Sequence, residues 1–174
     1  MNNLVRISLI SAALGVSALT KINSLQAQEP VENSHINVSL TFTEPVMDKH
    51  CPLQDVGGGP GQGFCGSGEV IPLGHASETI EFGAACDGAC DLRTINLPEG
   101  TIFIHEVFTF ISGHGTGEEH QGNPSPFSGA LSDIIVGGTG LFEGATGFLN
   151  GTVRVAGKAN QVKLSGTIVL ASTH

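Results

Sequence analysis

The sequence predicts an all-β protein: a single eight-stranded antiparallel sheet closed into a barrel. Three observations support this. Apolar and polar residues alternate with period two from Ile36 onward. Short strand-like segments then recur, most of them separated by Gly, Pro or Asn/Asp signals. After the first 27 residues no window of useful length has helical periodicity. Regularly spaced strands of this kind suggest a sandwich or a barrel, and closure of one sheet on itself removes exposed edges.

The N-terminus stands apart from the fold. Arg6 supplies a positive region, residues 7–19 form an apolar core, and Leu25-Gln26-Ala27 precedes a cleavage position. This pattern is that of a secretory signal peptide. Residues 1–27 are therefore expected to be removed, and residues 28–174 to form one barrel domain that is secreted or periplasmic. The apolar core is shorter than the roughly 20 residues that span a bilayer, and no membrane association is expected after cleavage. The chain has 7 basic and 16 acidic residues. Loss of Arg6 and Lys21 leaves it more acidic still, and such a field repels nucleic acid and anionic membranes.

In order, Ile36, Val38, Leu40 and Phe42 alternate with Asn37, Ser39, Thr41 and Thr43, which reads as a half-buried strand. Residues 44–66 break the alternation with Pro45, Pro52, Pro60 and a run of glycines, and read as a long loop. Further strands are expected near 68–73, 76–83, 90–97, 101–112, 127–136, 147–156 and 161–171. Four cysteines fall at 51, 65, 86 and 90. In a secreted chain an even count points to disulfides, for which three pairings exist. Cys51–Cys65 and Cys86–Cys90 are favoured, because each closes a loop around a glycine-rich turn. A zinc site is the rival reading, but Cys51 and Cys65 lack a matching short spacing.

The segment Gly137-Gly138-Thr139-Gly140-Leu141-Phe142-Glu143-Gly144-Ala145-Thr146-Gly147 holds five glycines in eleven residues between two strands. Its glycines permit the reversal, and Phe142 is expected to fold back as a plug over one mouth of the barrel. A dinucleotide cradle would need a helix directly after the glycines. A β-rich run with Val153 and Val155 follows instead.

The pattern Gly-Gly-Thr-Gly-x-Phe-x-Gly-Ala-x-Gly, preceded by residues 128–136 and followed by Gly151-Thr152-Val153, resembles the signature of the dirigent and allene oxide cyclase superfamily. The resemblance covers residues 128–156 well, and strand order and spacing are compatible over 36–171. It implies an eight-stranded antiparallel barrel with an apolar cavity, assembled as a homotrimer or homodimer. It also implies a small hydrophobic partner molecule whose coupling or cyclisation is steered without a metal or an organic cofactor. The chain departs from that pattern in having no Tyr and no Trp, so any aromatic lining comes from its nine Phe.

Candidate chemistry centres on the strand at 101–112. One face carries Ile102, Ile104, Glu106, Phe108 and Phe110; the other carries Phe103, His105, Val107 and Ile111. Either face could line the lumen. With the first inward, Glu106 is one carboxyl among large apolar residues, its pKa raised, suited to act as a general acid or to orient a polar group. With the second inward, His105 offers an imidazole for proton transfer. The bland alternatives are an ion pair between Glu106 and Arg93 or Arg154, and a surface position for His105. Arg93 is itself a candidate to hold a carboxylate or stabilise an oxyanion. Asp133, beside Leu131 and Ile135, is a further inward candidate. The expected ligand cavity thus comprises Ile104, Phe108, Phe110, Asp133 and Phe142. His114 and His120, with Glu118 and Glu119, sit in a glycine-rich loop that reads as a solvated tip or lid rather than a metal site.

The residues lead to the expectation of a secreted barrel, and the resemblance implies that it binds a small hydrophobic ligand and steers its cyclisation or coupling, in the manner of a cofactor-independent isomerase. The alternative is a non-catalytic binding or structural barrel.

Overall fold

The computed structural model describes residues 34–46, 48–53, 61–113 and 126–172. The leader and the loop carrying His114 and His120 lie outside the described residues.

Eight antiparallel strands form a closed barrel in which each strand pairs with its sequence neighbours and the last pairs with the first. They are β1 His35–Pro45, β2 Gly63–Ile71, β3 Gly74–Ala85, β4 Cys90–Leu97, β5 Gly100–Gly113, β6 Phe127–Gly138, β7 Thr146–Ala156 and β8 Ala159–Val169. The only helical turns among the described residues are two three-residue 3-10 turns, Cys86–Gly88 and Gly140–Phe142. Period-two alternation builds the wall: in β1, Val38, Leu40 and Phe42 are buried while Ser39, Thr41 and Thr43 are exposed.

Several boundaries differ from the sequence expectation: β1 runs on through Glu44 and Pro45, which were read as loop, β3 is longer at both ends, β8 starts and stops two residues earlier, and the largest difference is at β2. Strand β2 begins at Gly63, inside the stretch read as loop, and pairs with β3 from Gly63–Glu81 onward. Glycine weakens a strand signal, but the pairing partner supplied by β3 overrides that local preference. Gly66 also has an interior role. A Cβ built there would lie 2.8 Å from Glu78 Oε1 and 3.0 Å from Glu44 Cγ, so its bare backbone leaves room for two inward carboxyl side chains.

The strand directions give the barrel two different ends. One end carries the β2–β3 and β4–β5 turns and the glycine segment between β6 and β7. There Thr139 N donates to Thr101 O (2.8 Å) and Leu141 N donates to Glu99 O (3.0 Å), stitching the glycine segment onto the β4–β5 turn. Gly140 has φ +59° and its Cβ position lies 2.3 Å from Glu99 O, so that approach requires glycine. Phe142 is completely buried and joins Ile95, Ile102, Ile135, Leu149 and Ile168 in the core. A strand, not a helix, follows at β7.

The other end carries the two disulfides. Cys51–Cys65 ties the connection after β1 to β2, and Cys86–Cys90 closes the β3–β4 turn. These are the pairings favoured from the sequence, and they fit an oxidising environment.

Candidate functional site

The inward face of β5 is the one bearing Ile102, Ile104 and Glu106, all buried. The two isoleucines belong to the apolar core. Glu106 is not isolated there, as the sequence alone suggested. It joins a layer of charged and polar side chains laid across the barrel. Glu44 from β1, Glu78 from β3, Arg93 from β4, Glu106 from β5, Asp133 from β6 and Asn160 from β8 are each no more than 2% exposed.

Arg93 is the hub. Its Nε donates to Glu106 Oε2 at 2.7 Å, and its Nη1 donates to Glu44 Oε1 at 3.3 Å and to Glu78 Oε2. The pairing of Glu106 with Arg93 was the bland reading of both residues, and the geometry contains it. Asn160 Nδ2 donates to Glu44 Oε2 at 3.0 Å. Glu78 Oε1, both oxygens of Asp133 and Asn160 Oδ1 have no hydrogen-bond partner among the described residues.

Four carboxyls around one guanidinium cannot all ionise in a low-dielectric interior. Burial pushes Glu78 up to about 8, against the pull of Arg93. Asp133 is also pushed up to about 8, by burial and by the Glu106 charge, its register partner across β5–β6. Burial raises Glu106 as well, again opposed by Arg93. Desolvation works against the Arg93 charge, but Glu78, Glu106 and Glu44 outweigh it and hold the guanidinium protonated. At pH 7 the layer thus keeps protons on Glu78 and Asp133.

Above this layer, toward the disulfide end, lies a partly open cavity of about 420 Å³. Four rings line it: Phe64 against Phe82, edge to face at 5.5 Å, and Phe108 against Phe127, edge to face at 6.0 Å. Ile80, Leu131, Val153 and Val155 complete the apolar wall. The polar lining consists of Glu44, Asp91, Arg93, Glu106 and Asn160. Gly88 and Ala89, inside the Cys86–Cys90 loop, form part of the rim.

Among the residues named from sequence, Arg93, Glu106 and Phe108 meet at this cavity. Ile104 and Asp133 are buried at or below its floor. Phe110 is half exposed and stacks loosely with Phe127 at 6.3 Å, outside the lining. Its pairing with Gly129 keeps the phase of Phe108↔Leu131, so Phe110 lies on the same face but two residues further toward the open end, past the lining. Phe142 does not line the cavity; it plugs the opposite end. His105 occupies the outer face of β5, with Nδ1 3.5 Å from Cys86 Sγ, and does not reach the lumen.

Glu44, Glu78 and Asn160 were missed by sequence reasoning, although the signal was present. Glu44 continues the phase Val38-Leu40-Phe42, Glu78 sits between Ala76 and Ile80, and Asn160 precedes Val162 and Leu164 in step.

Fold and site together define a class: a closed antiparallel barrel whose open end is an apolar, aromatic-walled cavity over a buried arginine–carboxyl layer. No protein family, curated protein or solved structure matches this chain.

Proposed function

We propose that this barrel is a secreted or periplasmic protein that binds one small, mostly apolar molecule in the cavity and steers its cyclisation or coupling without a cofactor. The observation that carries the reading is a cavity of about 420 Å³ with four phenylalanines in its wall and the Arg93–Glu106 pair in its floor. Such pockets, largely apolar with a few convergent polar groups, are the usual form of small-molecule sites. The resemblance of residues 137–147 to the dirigent and allene oxide cyclase signature supports the same reading, as do the two disulfides and the apolar leader for export.

The chemistry asked of the site is modest. A preformed apolar cavity holds a flexible reactive chain in one folded conformation, which lowers the entropic part of a ring-closing barrier. Glu106, with its raised pKa, faces the bound molecule and is suited to give or take one proton.

Thermal shift of the wild type and of Glu106→Gln against polyenes, oxylipins and phenols tests this. A compound of that kind should raise the Tm of the wild type at micromolar to millimolar concentration. Product analysis with a stabilising reactive compound then separates turnover from binding alone. A panel in which nothing stabilises the wild type ends the ligand-steering reading.

A further inference from the structure

The cavity's polar lining is one-sided. Glu44, Asp91 and Glu106 bring three carboxyls to it, whereas Arg93 is the single cation lining it among the described residues. The Arg93 charge is already met by direct contact with Glu44, Glu78 and Glu106. Asn160 is 2% exposed, lines the cavity, and presents an Oδ1 without a hydrogen-bond partner among the described residues. A buried acceptor beside the cavity is therefore left unfilled, and a donor on a ligand seated against Asn160 would fill it. The wall around it holds four phenylalanine rings, and aromatic faces attract organic cations.

We infer that the cavity selects an amphiphilic organic cation, an ammonium head on an apolar body, and discriminates against carboxylates. This rests on the reading that the cavity holds an apolar small molecule, and it names the head group. The ammonium donates to Asn160 Oδ1 and to the Glu44 and Glu106 carboxyls, while ring faces of the wall stabilise its charge. The apolar body lies against Leu131, Val153 and Val155. A carboxylate head in the same place would face three carboxyls and find the guanidinium already engaged, so its desolvation would go uncompensated. The acidity of the whole chain adds a field that draws cations toward the mouth and repels anions.

The test is calorimetric titration of the purified, disulfide-bonded protein at pH 7 with an eight-carbon series: n-octylammonium, octyltrimethylammonium, 1-octanol and octanoate. Ethylammonium serves as the probe for adhesion to the acidic surface. The expected result is one site, n-octylammonium binding about tenfold more tightly than 1-octanol, and octanoate about tenfold more weakly than 1-octanol. Octyltrimethylammonium binding more tightly than 1-octanol supports the aromatic contribution to head-group recognition. In Glu106→Gln octylammonium should lose more affinity than 1-octanol, so the preference for ammonium over alcohol shrinks. Should Glu106→Gln fail to fold, Asp91→Asn at the cavity lining gives the same readout. If 1-octanol or octanoate binds as tightly as octylammonium, the head-group inference is wrong and the apolar-ligand reading survives. Absence of one-site binding by every eight-carbon compound overturns both. Ethylammonium matching octylammonium assigns the signal to the surface and overturns the inference.

Discussion

The two ends of the barrel share one wall but close in different ways. At the glycine end, Phe142 and a tier of isoleucines and leucines fill the interior, and backbone hydrogen bonds stitch the corner down. At the disulfide end the same strands carry a charged layer and then an open, aromatic-walled cavity. The transition happens within single strands. In β5 the inward sequence is Ile102, Ile104, Glu106; in β1 it is Leu40, Phe42, Glu44. The ladder continues through both tiers, so the difference lies in the side chains presented inward. One end is built for packing, and the other places polar atoms without a partner among the described residues beside an open cavity.

That contrast can be broken from either side. The largest effect is expected at the charged layer. Arg93→Met removes the only cation in contact with Glu44, Glu78 and Glu106 among the described residues, and breaking such a buried network should cost about 3–5 kcal/mol at pH 7. Urea unfolding at pH 5 should show a smaller loss, because the stranded carboxyls can then hold protons. An equal loss at both pH values would mean that Arg93 acts by packing alone.

At the glycine end, Phe142→Ala should cost about 3–5 kcal/mol through the void it leaves. Gly140→Ala should cost about 1–3 kcal/mol, because φ +59° and the Glu99 carbonyl both oppose a Cβ. Neither change should alter ligand affinity at the other end once measured well below the unfolding temperature. A large affinity loss in Phe142→Ala would show that the two ends are coupled.

The last comparison is the pH dependence of stability. Glu78 and Asp133 hold protons more tightly in the barrel than in the unfolded chain, where their ordinary values are 4.5 and 3.8. Their contribution is fully present below those values and is lost as pH rises to about 8. The melting temperature should fall between pH 5 and pH 9, with most of the loss below about pH 8. The double variant Glu78→Gln, Asp133→Asn should flatten the curve, and an unchanged slope in that variant would refute the assignment.

Much of this was legible in the chain. Alternation and turn signals marked the strands, so the wall, its number of strands and both disulfide pairings were expected, while the inward face of the strand at 101–112 stayed open. Glu106 and Arg93 stood out as rare charges in apolar runs. The start of β2 was obscured because Gly63, Gly66 and Ser67 look like loop residues until a neighbouring strand pairs with them. Phe142 was correctly expected to turn inward as a plug, yet its assignment to the ligand cavity required knowing which mouth it closes. Phe110 shares the phase of Phe108, but alternation does not say how far up the wall the cavity reaches, and Phe110 stands beyond it.

By itself the sequence determined the strands and the turns between them, because period-two burial and glycine-permitted reversals are local properties of consecutive residues. Only the tertiary structure decided that Glu44, Glu78, Arg93, Glu106, Asp133 and Asn160, from six different strands, meet in one layer beneath a cavity. That meeting depends on closure and on the stagger between strands, which set the height of each residue along the barrel axis and leave no trace in any single segment.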